Sequence, residues 1–198
     1  MSVMHSMPRM MPPMLRFRHV PLLLLTALLC GTAHAAESAK AMLGVELGTR
    51  FRFPTCNSGE DTMTRRHCYA AAMTRKTPWG AEEYHLFYPR SGSIPYPRGE
   101  MIVDVIDGHI EAIHINTWGI EAQGPAMDAL KLKYGPPQKQ RSEKIRAHRA
   151  RLPSLFAEWE MKDFSVKYDG TTTTIDWGRI TLMSHRYRQI VRAYDAGR

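Results

Sequence analysis

The chain has 198 residues, a formal net charge of +8 and three cysteines, with 43% hydrophobic and 23% charged side chains. A basic balance points first to nucleic acid, yet the N-terminal pattern described next predicts export, and an exported chain rarely meets nucleic acid. The apolar run Val20 to Cys30, of about ten residues, is too short for a bilayer span, which needs roughly 20.

Leu15-Arg16-Phe17-Arg18-His19 precedes that run, and Gly31-Thr32-Ala33-His34-Ala35-Ala36 follows it. A basic head, an apolar centre and an Ala-x-Ala end make a secretory signal peptide, so residues 1–35 are expected to be removed and the product to lie in the periplasm. Cys30 is preceded by Leu29, whereas a lipidated cysteine normally follows a small residue, so cleavage after Ala35 is preferred over lipidation. A start at Met14 would give a leader of ordinary size. Removal of the leader leaves Ala36–Arg198, a length that suits a single domain with a real core. Only Arg9, Arg16 and Arg18 leave among the charged residues, and the mature chain stays moderately basic. Its expected partners are an acidic protein, anionic lipid head groups or cell-wall polymer.

Cys30 goes with the leader and leaves Cys56 and Cys68 as an even pair, which in an oxidising compartment reads as a disulfide. Neither C-x-x-C nor H-E-x-x-H occurs, and His67 adjoins Cys68 too closely for the two to share one ion, so no metal site is expected. Asn57, Ser58, Gly59 and Asp61 supply turn chemistry inside the clasped loop.

The ordered part begins at Leu43-Gly44-Val45-Glu46-Leu47-Gly48. Thr64 to Lys76 is read as a short helix. Tyr84, Leu86 and Tyr88 alternate as one face of a strand that ends at Pro89, and residues 91–99, with Pro95 and Pro97, are a loop. Asp107-Gly108 between two apolar runs is a strong hairpin signal. That turn places Val105 opposite Ile110, Val103 opposite Ala112 and Met101 opposite His114. Asp104 and Glu111 would then be cross-strand neighbours, and both are expected to be exposed and screened.

A helix is predicted from Gly124-Pro125 to Gly135-Pro136-Pro137, with Met127, Leu130 and Tyr134 on its buried stripe. Lys139 to Arg151 carries Lys139, Arg141, Lys144, Arg146, Arg149 and Arg151 against Glu143 alone, and reads either as a merely solvated loop or short helix or as a surface that contacts an anion or a partner. A second hairpin is expected with Asp163 opposite Gly178 at a paired bulge, setting Trp159 against Leu182 and Phe164 against Trp177. Ser184 caps a last helix whose apolar stripe is Tyr187, Ile190, Val191 and Tyr194. The fold class is α+β: an antiparallel sheet built from hairpins and packed against a few short helices.

Four pieces in this order carry a resemblance: Leu43 to Gly48, the hairpin Val103 to Ile113, the helix end Leu130-Lys131-Leu132-Lys133-Tyr134-Gly135-Pro136-Pro137, and the hairpin led by Trp159. Over residues 42 to 183 the chain resembles exported α+β modules of the β-lactamase-inhibitory-protein-like type, which include the SmpA/OmlA outer-membrane assembly lipoproteins. The resemblance implies a module that binds other proteins through the open face of a sheet and carries no catalytic residues.

The residues themselves point the same way. No Gly-x-Ser-x-Gly elbow, phosphate loop or dinucleotide fingerprint occurs, so neither catalysis nor a cofactor is expected. Trp79, Phe87 and Tyr96 lie in an aromatic stretch interrupted by prolines and are the candidate partner-binding residues, because Trp and Tyr bury large rigid area at interfaces. The alternative is an envelope assembly or maintenance factor that touches anionic lipid or cell wall through its basic segment, peripheral to the membrane at most.

Overall fold

The structure is a computed structural model that describes residues 37–57, 66–88, 100–147 and 150–198. A two-stranded hairpin, β1 (Ala41–Met42) and β2 (Val45–Glu46), turns on Leu43 and Gly44 at positive φ. It sends Met42, Val45 and Leu47 into the main core. Among the described residues nine further strands form one antiparallel sheet: β3 (Cys68–Tyr69), β4 (Arg75–Lys76), β5 (Glu82–Phe87), β6 (Glu100–Ile106), β7 (His109–Trp118), β8 (Lys139–Ala147), β9 (Ala150–Glu160), β10 (Phe164–Asp169) and β11 (Trp177–Ser184). Their order is β3-β5-β6-β7-β11-β10-β9-β8, with β4 beside β5. Helices α1 (Gly119–Tyr134) and α2 (His185–Ala196) pack with the sheet in an α+β fold. None of the described helices is long and apolar enough to cross a membrane.

The two faces of the sheet differ in chemistry. Val103, Ile113, Ile115, Ile180, Leu182, Val166, Tyr168 and Trp159 point to one face and are completely buried there beneath Ala126, Met127, Leu130 and Tyr134 of α1. Burying each such aliphatic side chain contributes about 1.5–3 kcal/mol. The other face carries a smaller apolar cluster of Ala81, Ala112 and Tyr187, joined by Trp79, Ile106, Met183 and Val191. Alternation along each strand produces this division, since successive side chains leave on opposite sides.

Asp107 and Gly108 make the turn between β6 and β7 with φ of 53° and 75°. Val105 pairs with Ile110 as expected, but the register then shifts, so that Asp104 pairs with Ala112, Val103 with Ile113 and Ile102 with His114. Glu111 is the extra residue of this bulge. Asp104 and Glu111 are therefore not opposite one another, and both are buried rather than exposed.

Other expectations are corrected. The stretch around Cys68 to Lys76 is two short strands separated by a single 3-10 turn at Ala71–Met73, not a helix; Thr64 and Arg65 lie outside the described residues. Helix α1 starts five residues before Gly124 and keeps Pro125 inside it, while its end at Gly135, at φ 78°, agrees with the sequence. The early start depends on Gly119: a Cβ there would sit 1.8 Å from the Ile175 carbonyl oxygen, which instead accepts the Ile120 N–H at 3.0 Å. The basic segment is neither loop nor helix but the β8–β9 hairpin. The alternation change at Asp163 marks a chain reversal between β9 and β10, closed by the Met161 N–H on the Phe164 carbonyl. Trp159 consequently pairs with Val166, Val166 also with Leu182, and Phe164 with Ser184.

Pro153 brings no N–H to β9, and Gln123 of α1 satisfies the polar groups beside it. The Gln123 amide donates to the Pro153 carbonyl at 3.0 Å, and its oxygen accepts the Leu155 N–H. Ser184 caps α2 by accepting the Tyr187 N–H at 3.0 Å, as predicted.

Candidate functional site

The expected clasp is present: Cys56 and Cys68 form a disulfide with Cα atoms 4.9 Å apart. Backbone bonds between Pro54, Cys56 and Tyr69 tie its two ends together, and His67 Nε2 lies 2.7 Å from the Leu43 carbonyl oxygen. Asn57 is described; Ser58, Gly59 and Asp61 lie outside the described residues. The clasp ties the segment that follows the N-terminal hairpin to β3, and the neighbouring His67 contact reaches the hairpin itself.

A polar cluster lies between the sheet and α2. Asp104, 1% exposed, accepts the Tyr187 hydroxyl on Oδ2, which also lies 3.3 Å from His114 Nε2. His114 Nδ1 is 3.2 Å from the Thr181 hydroxyl. Glu83, opposite Asp104 in register, pairs with Arg75 at 2.7 Å. Glu111 receives the Ser184 hydroxyl and the Arg186 guanidinium, which also reaches Asp107. Burial, then the charge of Asp104, pushes the Tyr187 phenol far above its ordinary value. Tyr187 roofs the carboxylate, so the cluster fastens α2 to the sheet instead of presenting a carboxylate to a substrate.

Beyond α2 the same face is uncovered across β8, β9 and β10. A shallow basin there is lined by Lys139, Arg141, Phe156, Glu158, Lys167 and Asp169. Lys139 pairs with Glu158 at 3.3 Å, Lys167 with Asp169 at 3.2 Å and Arg141 with Glu143 at 2.8 Å, while the Arg141 guanidinium stacks over Phe156 at 4.9 Å. A groove continues from this basin to α2, where Arg188 and Arg192 form its far wall. Arg188 is held there by Glu160, whose carboxyl stays below its ordinary value chiefly through that hydrogen bond.

Of the six basic residues expected to bind anions, Lys139, Arg141, Lys144 and Arg146 stand on β8 and Arg151 on β9, all exposed; Arg149 lies outside the described residues. Among the described residues Lys144, Arg146 and Arg151 make no ion pair, so this end of the hairpin is the most strongly positive part of the edge. Of the three aromatic candidates, Trp79 and Phe87 are described, Trp79 in the turn before β5 and Phe87 at the end of β5. Trp79 packs edge-on to Tyr187 and Tyr194, 6.3 and 6.2 Å between ring centres, and so anchors α2. Phe87 is half-buried on β5 opposite Cys68, and Tyr96 lies outside the described residues. Sequence reasoning missed Phe156 and Lys167, which line the basin, and Arg188, which lines the groove beyond it. Alternation in β10 was the available signal, since Lys167 interrupts Val166 and Tyr168. Among the described residues no three His, Cys, Asp or Glu side chains group as metal ligands.

No protein-family model matches the chain, and comparison with curated proteins and with solved structures likewise gives no match.

Proposed function

We propose that the chain is exported to the periplasm and acts as a non-catalytic binding protein, engaging an acidic protein partner on the open face of β8–β10. The observation that carries this reading is the uncovered basin and groove bordered by Lys139, Arg141, Lys167, Arg188 and Arg192. The part of that face nearest α2 is closed by apolar packing, and the remainder offers a shaped floor whose cations complement an acidic surface. The Arg141–Phe156 stack supplies a rigid element of the kind that anchors interfaces.

A second reading rests on Lys144, Arg146 and Arg151, exposed together at the outer part of the hairpin. It makes the chain an envelope assembly or maintenance factor that touches anionic lipid or cell wall. Pull-down from a native envelope with protein beginning at Ala36, washed at low and high salt, separates the two readings. A stoichiometric acidic protein, recovered at low salt and lost with Lys167→Glu, is the expected result. Recovery of lipid or wall material alone, released by salt and by the pair Lys144→Glu/Arg146→Glu, would replace the first reading with the second.

A further inference from the structure

Trp118 ends β7 and Trp177 begins β11, and the register sets them directly opposite. Their indoles stack with ring centres 5.3 Å apart and planes inclined by 23°. Trp118 is nevertheless 46% exposed. Its backbone is firmly placed, because Gly119 fits against the Ile175–Asp176 backbone with no room for a side chain. Beside the pair is an open depression of about 440 Å³, lined by Trp118, Ile120, Glu121, Leu152, Ile175 and Asp176. The Glu121 and Asp176 side chains are exposed and, among the described residues, form no ion pair.

We propose that this depression binds a neutral, β-linked oligosaccharide of gluco configuration. Such a sugar carries its substituents equatorially and its axial C–H groups on both ring faces, so it presents a flat apolar face to an indole. Its rim hydroxyls would then donate to the carboxylates that line the depression, giving a few oriented polar contacts around an aromatic floor. Anionic ligands are disfavoured by Glu121 and Asp176. An aliphatic protein anchor is disfavoured as well, because it would bury those carboxylates without donors. A stacking platform held in place before binding loses little entropy when the ligand arrives.

The site shares no residue with the basin of β8–β10, so it stands or falls separately from the proposed protein partner. The test is titration of the protein from Ala36 onward with cellotetraose and chitotetraose, with maltotetraose as the α-linked comparison, followed by tryptophan emission and calorimetry. Saturable binding of at least one β-linked sugar is expected, with Trp118→Ala weakening it about tenfold or more, as truncation of an interface hot spot does. Glu121→Gln with Asp176→Asn should weaken it severalfold without disturbing the tryptophan stack, which separates lost recognition from lost folding. Absence of saturable binding to both β-linked sugars, or equal binding of maltotetraose, overturns the proposal. So does concentration-dependent dimerisation in sedimentation that Trp118→Ala abolishes, which would make this surface a contact between two copies.

Discussion

Tyr187 on α2 donates its phenolic hydrogen to Asp104 on β6, a residue 83 positions earlier in the chain. This bond joins the last helix to the middle of the sheet, and Trp79 packs against the same ring. Replacing Tyr187 by Phe keeps the ring and removes the donor, leaving Asp104 buried with one fewer partner. A loss of about 1–3 kcal/mol is expected, seen as a lower melting temperature in calorimetry. Tyr194→Phe also preserves its contact with Trp79 and should change stability by no more than about 0.5 kcal/mol. Equal effects of the two substitutions would contradict this role for the Asp104 bond.

Alkaline pH should act through three phenols. Burial raises Tyr168 to about 12, burial and the Glu82 hydrogen bond raise Tyr84 to about 12, and Tyr187 is raised by burial and Asp104. At neutral pH all three are protonated in both states and contribute no pH dependence. Above about 10, the ordinary value for tyrosine, the unfolded chain releases protons that the fold retains, so stability must fall as pH rises toward the folded values. Phenolate absorbance of the native chain should therefore show Tyr84, Tyr168 and Tyr187 ionising at higher pH than in the denatured chain. A single native transition at the position of the denatured chain would remove the basis for the prediction.

Two glycines of α1 should respond oppositely to alanine. At Gly119 the new Cβ would overlap the Ile175 carbonyl and must displace backbone, so a severe loss of about 3 kcal/mol or more is expected. At Gly124 nothing lies within 4 Å, and alanine should stabilise the helix by about 0.5–1 kcal/mol. Urea midpoints of the two variants, measured beside the parent, check both signs.

Reduction of the Cys56–Cys68 bridge frees a short loop. In the chain-entropy model such a closure contributes about 3 kcal/mol, so the double variant Cys56→Ser/Cys68→Ser should unfold at a correspondingly lower urea concentration. Intact mass before and after reduction verifies the bond itself: a two-dalton increase is expected from one disulfide taking up two hydrogens.

Legibility in the sequence followed the range of the interaction. The Asp107-Gly108 turn, the Gly135 helix end and the Ser184 cap are decided within a few residues, and each is visible as a short pattern. The β8–β9 hairpin was hidden because β8 is an exposed edge strand, charged on both faces, and lacks the apolar alternation that normally reveals a strand. The turn at Asp163 looked like a bulge because either event reverses the phase of alternation. Burial of Asp104 and Glu111 could not be seen locally, since their donors Tyr187, Ser184 and Arg186 arrive from the far end of the chain. The basin has the same character. Its basic strand was visible as a charge run, but Lys167 joins it only through strand order, and Arg188 walls the adjoining groove only through the placement of α2.

The strand order β7-β11-β10 has a temporal meaning. Strands β5 to β7 form one meander and β8 to β11 another, each assembled from neighbours in sequence, and among the described strands β11 alone stitches them together. A chain lengthening from its N-terminus can therefore complete the first meander early, but that ribbon keeps an open edge along β7 until residues 177–184 emerge. Trp118 must wait for Trp177, His114 for Thr181 and Asp104 for Tyr187. A nascent or C-terminally clipped chain would thus expose a seam of unpaired backbone, and its maturation depends on the last strand and helix being delivered intact.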